Sequence, residues 1–220
     1  MSEFLLLKVL HVIGFAYWLG TDLGVFYSSY FVADEQRSAE VRVTTAKILF
    51  ALDQAPRICM TMMLPLGIDL TWRMGIFQFD SWVMWLIWIL CFGWLAMVIT
   101  LHVSKPGKGK MILTSFDFVF RLALAVGLLA LGAFAQFSDL LTMPHWVAIK
   151  ILIYGGLVGC GLLVRIKLKP FAPAFANLAR GEASNVDSAA IARSLGATRP
   201  YVIAIWAGLI ASTALGLHLF

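Results

Sequence analysis

Six long apolar stretches leave this chain few ways to fold. They run over residues 4–31, 47–74, 82–103, 111–137, 144–168 and 199–219. An α-helix needs about 20 predominantly apolar residues to cross the hydrocarbon core of a bilayer, and each stretch meets that length. The expectation is an all-α polytopic bundle of six transmembrane helices, a single domain over residues 1–220. Composition agrees. The chain is 61% hydrophobic and 13% charged, whereas soluble domains average about 45–50% apolar and about 25% charged.

Lys and Arg divide unevenly between the connections. Twelve of the seventeen fall in the first, third and fifth: Arg37, Arg42 and Lys47, then Lys105, Lys108 and Lys110, then Arg165, Lys167, Lys169, Arg180, Arg193 and Arg199. Arg73 stands alone on the other side, and Lys8, Arg57, Arg121 and Lys150 lie within spans. Basic loops stay on the cytoplasmic face, so these three loops are expected inside and both termini outside. The net charge of +5 follows this topology and is no sign of a nucleic-acid partner. Met1-Ser2-Glu3 has no basic n-region and no small-residue cleavage site follows, which argues against a cleaved signal peptide. Cys59, Cys91 and Cys160 fall inside spans with no CxxC or CxxCH spacing. Small buried apolar residues are the expectation for them, not a disulfide framework or covalent haem attachment.

Two segments are less apolar. Residues 34–45 read as a short charged connector. Residues 171–198 read as a cytoplasmic loop, in which 187–195 form a short amphipathic helix capped by Asp187 and lying on the membrane surface. Ala204, Gly208, Ser212 and Gly216 place a small residue at every fourth position of the last span. Gly155 and Gly159 do so in the fifth, and Gly20 and Gly24 in the first. Small residues let membrane helices approach closely, so the first, fifth and sixth spans are expected to pack together.

Against this apolar background His11, Trp18 and Asp22 share one helix face, because offsets of seven and eleven residues return to nearly one direction. Ionisable groups inside a membrane are costly and usually face a bundle interior, a cofactor or another charge. With the termini outside, His11 and Lys150 lie toward the outer leaflet, and His145 and His218 lie nearer the outer interface. Asp22, Asp53, Arg57, Asp117 and Arg121 lie toward the inner leaflet, and His102 is expected at the interface there. Asp53–Arg57 and Asp117–Arg121 are i,i+4 pairs. They fit two self-neutralised ion pairs and a site for anionic groups such as carboxylates equally well. An imidazole, a nearby cation, aromatic walls and glycines suit a b-type haem, with His11 as axial ligand. A proton relay and a structural hydrogen bond use the same residues and stay open.

Leu7-Lys8-Val9-Leu10-His11, with Trp18 and Gly20 in the same helix, resembles the first helix of HemJ-type protoporphyrinogen IX oxidases and of their CopD-like relatives. Arg57 followed by Pro65 and Gly67, and Met143-Pro144-His145-Trp146 continuing to Lys150-Ile151-Leu152, fit the same pattern. The resemblance covers about half the chain. It implies a four-helix core made of spans one, two, five and six, with spans three and four as an inserted hairpin. By it His11 becomes the haem-iron ligand, and Trp18, Arg57 and Lys150 line the cofactor. Arg57 and Lys150 would position substrate carboxylates, and Asp22 would accept a proton. It further implies haem b as cofactor, a reduced porphyrinogen-type or other substrate, quinone or a redox protein as electron acceptor, and a bacterial inner membrane. The extra hairpin, the long fifth loop and Asp22 depart from the family pattern.

Two other functions are open to the same sequence. Cys59, Met60, Met62 and Met63 cluster in the second span, and soft sulfur ligands suit copper(I), as a CopD-like transporter would require. A membrane anchor whose basic loops dock a soluble dehydrogenase is the third. Small-residue stripes are equally compatible with a homo-oligomer.

Overall fold

The structure, a computed structural model, describes residues 2–137 and 143–217, and every regular element among them is helical. In chain order the elements are α1 (Ser2–Ala33), α2 (Ala39–Leu52), α3 (Gln54–Arg73), α4 (Ser81–Val103), α5 (Lys108–Phe137), α6 (His145–Lys167), α7 (Phe171–Arg180) and α8 (Asn185–Gly216). Among the described residues α1, α4, α5, α6 and α8 are long and apolar enough to cross a membrane. α3 has 20 residues but carries Arg57, Asp69 and Arg73, and it is not among those five.

The helices run alternately up and down. Arg73 at the end of α3 pairs with Glu3 at the start of α1 at 2.9 Å. Trp88 near the start of α4 donates to Asp69 near the end of α3 at 2.9 Å. Arg165 near the end of α6 pairs with Asp117 near the start of α5 at 2.8 Å. These contacts define an N-terminal end, where α1, α4 and α6 begin, and an opposite end, where α5 begins. α1 packs on α3 and α8, and α6 packs on α8 and most extensively on α5. α4 leans on α3 and meets α5 over a smaller area. The central core joins Trp18, Met60, Trp94, Val98, Ala125, Leu157, Val158, Ile205 and Leu209.

The stretch at 47–74 is not one helix. It breaks between α2 and α3 at Asp53, which caps both. Pro56 explains the break: it has no N–H to offer the Leu52 carbonyl, and its ring would collide with that carbonyl in a continuous helix. The expected loop at 171–198 is largely helical too. α7 ends at Gly181 in the left-handed region (φ 76°), a conformation that costs glycine little. α8 then runs unbroken from Asn185 through the expected amphipathic segment into the last span. Its N-cap is Ser184 and not Asp187. Asp187 N–H donates to Ser184 Oγ at 3.2 Å, and Ser184 N–H donates back to Asp187 Oδ2 at 2.9 Å. That closes a capping box with Asp in place of the usual Glu.

α2, α7 and the start of α8 make a second small core around Val32, Ala46, Leu49, Phe171, Leu178 and Ile191. Arg42, only 3% exposed, threads through it. Its Nε donates to the Val32 carbonyl at 2.9 Å and its Nη1 to Ser188 Oγ at 3.1 Å. A cation is well placed there, because the last carbonyls of α1 have no partner within their own helix and carry the negative end of its dipole.

The small-residue stripes pack in part as expected. A methyl group at Gly208 would come within 2.7 Å of Leu157 on α6, so α8 and α6 are in close contact there. Gly155 is used differently, facing Leu129 and Ala125 of α5, while Gly20 and Gly159 have open space around them.

Candidate functional site

Polar side chains gather at both ends of the bundle. At the N-terminal end the His11 ring of α1 lies against α3, where a Cβ on Gly67 would sit 3.5 Å from its Cε1. Nδ1 of His11 is buried and makes no hydrogen bond. Lys150, from α6, lies within electrostatic reach of that ring. Its Nζ stands 5.4 Å from the centroid of Trp146, within cation–π range. It also rests on the backbone of α8, where a Cβ on Gly216 would fall 2.5 Å from Nζ. No carboxylate among the described residues pairs with Lys150. Gly216 of α8 therefore leaves room for the Lys150 ammonium from α6, while the His11 ring is at ordinary packing distance from Gly67 of α3.

Other residues singled out from the sequence lie elsewhere. Trp18, 4% exposed, is packed in the central core between Met60 and Leu157. Asp22 accepts a hydrogen bond from Trp206 Nε1 of α8 at 2.8 Å. Arg57 is at the opposite end, donating from Nε to Asp53 at 2.7 Å. His145 begins α6, and His218 lies outside the described residues. His11 and Lys150 share a site. Arg57 and Asp22 are not part of it.

The opposite end contains a cavity of about 390 Å³ between the α2–α3 junction and the ends of α4, α5 and α6. Arg57, Arg121, Arg165 and Lys110 line it, as do Asp53 and Asp117, while Phe50, Val98 and Leu101 give it an apolar wall. Asp117, 1% exposed, accepts from Arg121 Nε at 2.9 Å and from Arg165 Nη1 at 2.8 Å. The two i,i+4 pairs do form, but Arg165 adds a third guanidinium from another helix. Burying ions is repaid only when each has close partners, and here one carboxylate serves two cations. Arg121 also reaches inward, with Nη1 3.8 Å from Met60 Sδ and the guanidinium 5.5 Å from the Trp94 ring centroid.

That last contact bears on copper. Met60 directs its sulfur at a fixed cation, an environment that opposes a second positive charge. The Met63 sulfur lies where a Cβ on Gly14 would come within 2.8 Å of it, packed against α1. Among the described residues no group of three or more His, Cys, Asp or Glu is arranged to hold a metal ion. Cys59, Cys91 and Cys160 are free thiols.

In comparisons with known proteins, no family model matches the chain, and neither a curated protein nor a solved structure matches it.

Proposed function

We propose that this chain is a six-span, haem-b-binding redox protein of a bacterial inner membrane, HemJ-like in its core, with α3 as the sixth span and both termini outside. The observation that carries the reading is the meeting of two motif halves far apart in sequence. His11 of α1 and Lys150 of α6 lie at the same end of the bundle, within electrostatic reach of each other, and each rests on a glycine of a neighbouring helix. The buried Nδ1 of His11, which makes no hydrogen bond, is what suits an imidazole that would hold a haem iron. The packing of α3 and α8 on α1 and of α6 on α8 is the part of the arrangement that supports the four-helix core.

Bound there, haem b would supply one-electron chemistry, and the protein would tune it through ligand identity and low dielectric. His11 would hold the haem iron through an imidazole nitrogen. Lys150 would hold an anionic carboxylate of cofactor or substrate through its ammonium. Trp18, deeper on α1, is packed in the central core. Asp22, buried and tied to Trp206 through Oδ2, can hold a proton at Oδ1 on the path toward the opposite end. Arg57 serves this site only at a distance, and no substrate contact is assigned to it. A reduced porphyrinogen-type substrate and a quinone or protein acceptor complete the proposal.

Absorption and pyridine-haemochrome spectra of the detergent-solubilised protein test it. A Soret band that disappears in His11→Ala while the variant keeps its fold supports the proposal. A colourless preparation from haem-replete cells overturns it.

A further inference from the structure

We infer that the cavity at the opposite end binds a phosphate group, independently of any redox role at the N-terminal end. Its charges are unbalanced: Arg57, Arg121, Arg165 and Lys110 supply four positive charges and Asp53 and Asp117 two negative ones, leaving an excess of two. The carboxylates do not satisfy the cations fully. Asp117 is shared between two guanidiniums, and Lys110 donates to the Ser104 carbonyl at 2.8 Å and pairs with no carboxylate among the described residues. Arg57 and Arg165 keep 44% and 30% of their side-chain surface exposed while facing the cavity.

Geometry favours phosphate over carboxylate. The three guanidiniums come from three helices, α3, α5 and α6, and approach from different sides. A tetrahedral phosphate offers acceptor oxygens in several directions, whereas a carboxylate is planar and takes one fork at a time. A monoester carries about −1.5 to −2 at neutral pH, close to the local excess. The cavity is of ligand size, and its Phe50, Val98 and Leu101 wall accepts an apolar tail. Basic pockets between membrane helices at the cytoplasmic level hold lipid headgroups in the same way. A phospholipid headgroup and a soluble phosphomonoester therefore share the required chemistry.

The test measures binding to the delipidated full chain in neutral detergent, with three probes: dioleoyl phosphatidic acid, glycerol 3-phosphate and, as control, dioleoyl phosphatidylcholine. Thermal shift and native mass spectrometry read the result. Phosphatidic acid binding alone identifies a lipid headgroup site, and glycerol 3-phosphate binding identifies a soluble ligand. In either case Arg57→Gln and Arg165→Gln should each weaken binding about tenfold, while Arg180→Gln, outside the cavity, should not. Both cavity arginines are partly exposed; Arg165→Gln leaves the buried Asp117 paired with Arg121 and Arg57→Gln leaves a partly exposed Asp53, so thermal unfolding of each variant without ligand is read beside its binding. Equal binding of all three probes, no binding of any, or full binding by both cavity variants overturns the inference.

Discussion

At the N-terminal end of the bundle His11 and Lys150 have no carboxylate partner among the described residues, whereas at the opposite end guanidiniums and carboxylates are netted together. Glycine contacts build the first arrangement. Gly67 accepts the His11 ring, Gly216 accepts the Lys150 ammonium, and Gly132 lets α5 touch the backbone of α6. Ion pairs build the second, with Asp117 joining α5 to α6 through Arg165. The N-terminal end does have a charged rim, in which Arg73 of α3 pairs with Asp69 of its own helix and with Glu3 of α1, and neither carboxylate is paired with His11 or Lys150. The difference separates two uses of buried polarity. A charge network can hold helices together and still keep an excess of cations for an anion, whereas a buried polar atom with no partner, such as His11 Nδ1, is available to a ligand outright.

The largest blow to this contrast should come from Asp117→Ala. It strands the buried guanidinium of Arg121 and frees the partly exposed one of Arg165, which costs about 3 kcal/mol, and denaturant unfolding in detergent should show a loss of that order. A loss below about 1 kcal/mol would mean the network is not holding α5 to α6.

Gly132→Ala should come next. The new methyl would lie 3.0 Å from the Ala148 carbonyl oxygen and 2.7 Å from Leu152 Cγ, and overpacking of this kind costs about 1–3 kcal/mol. Gly159→Ala, with open space around it, is the matched control and should leave the melting temperature unchanged or slightly raised.

Ser184→Ala removes the N-cap oxygen of α8 and half of its capping box, for about 1 kcal/mol. Hydrogen exchange should quicken in the first turn of α8 and stay unchanged in α1 and α6. Protection lost throughout α8 would show that the cap anchors the whole helix.

The smallest stability effect is expected from Lys150→Met, within about 0.5 kcal/mol of wild type, because no ion pair is broken and Met fills similar space. Its unfolding midpoint set beside that of Asp117→Ala sharpens the comparison most directly. A Lys150→Met loss as large as that of Asp117→Ala would place an unrecognised partner at the N-terminal end.

Much of the fold was legible from residue order. The apolar runs mark α1, α4, α5, α6 and the second half of α8 within a few residues. Pro56 held the signal for the break at Asp53, but the apolar run on both sides masked it. The capping box at Ser184 was missed because its return partner is Asp and not Glu. At the sites, the i,i+4 pairs and the isolation of His11 could be read from spacing. Arg165 could not, since it looked like one more basic residue at a loop entrance, and only the α5–α6 contact brings it to Asp117. Trp206 gave no sign that its indole N–H would satisfy Asp22 from another helix.

The sequence by itself determined that this chain is helical, where most of its long apolar helices lie and which ionisable groups would be forced into an apolar interior, because hydrophobic length and helical periodicity are local properties. Only the tertiary structure decided which of those groups meet. It parted Arg57 from His11, set Lys150 beside His11 and gathered three arginines around one cavity, because such neighbours depend on how helices far apart in the chain pack across glycines and buried charges.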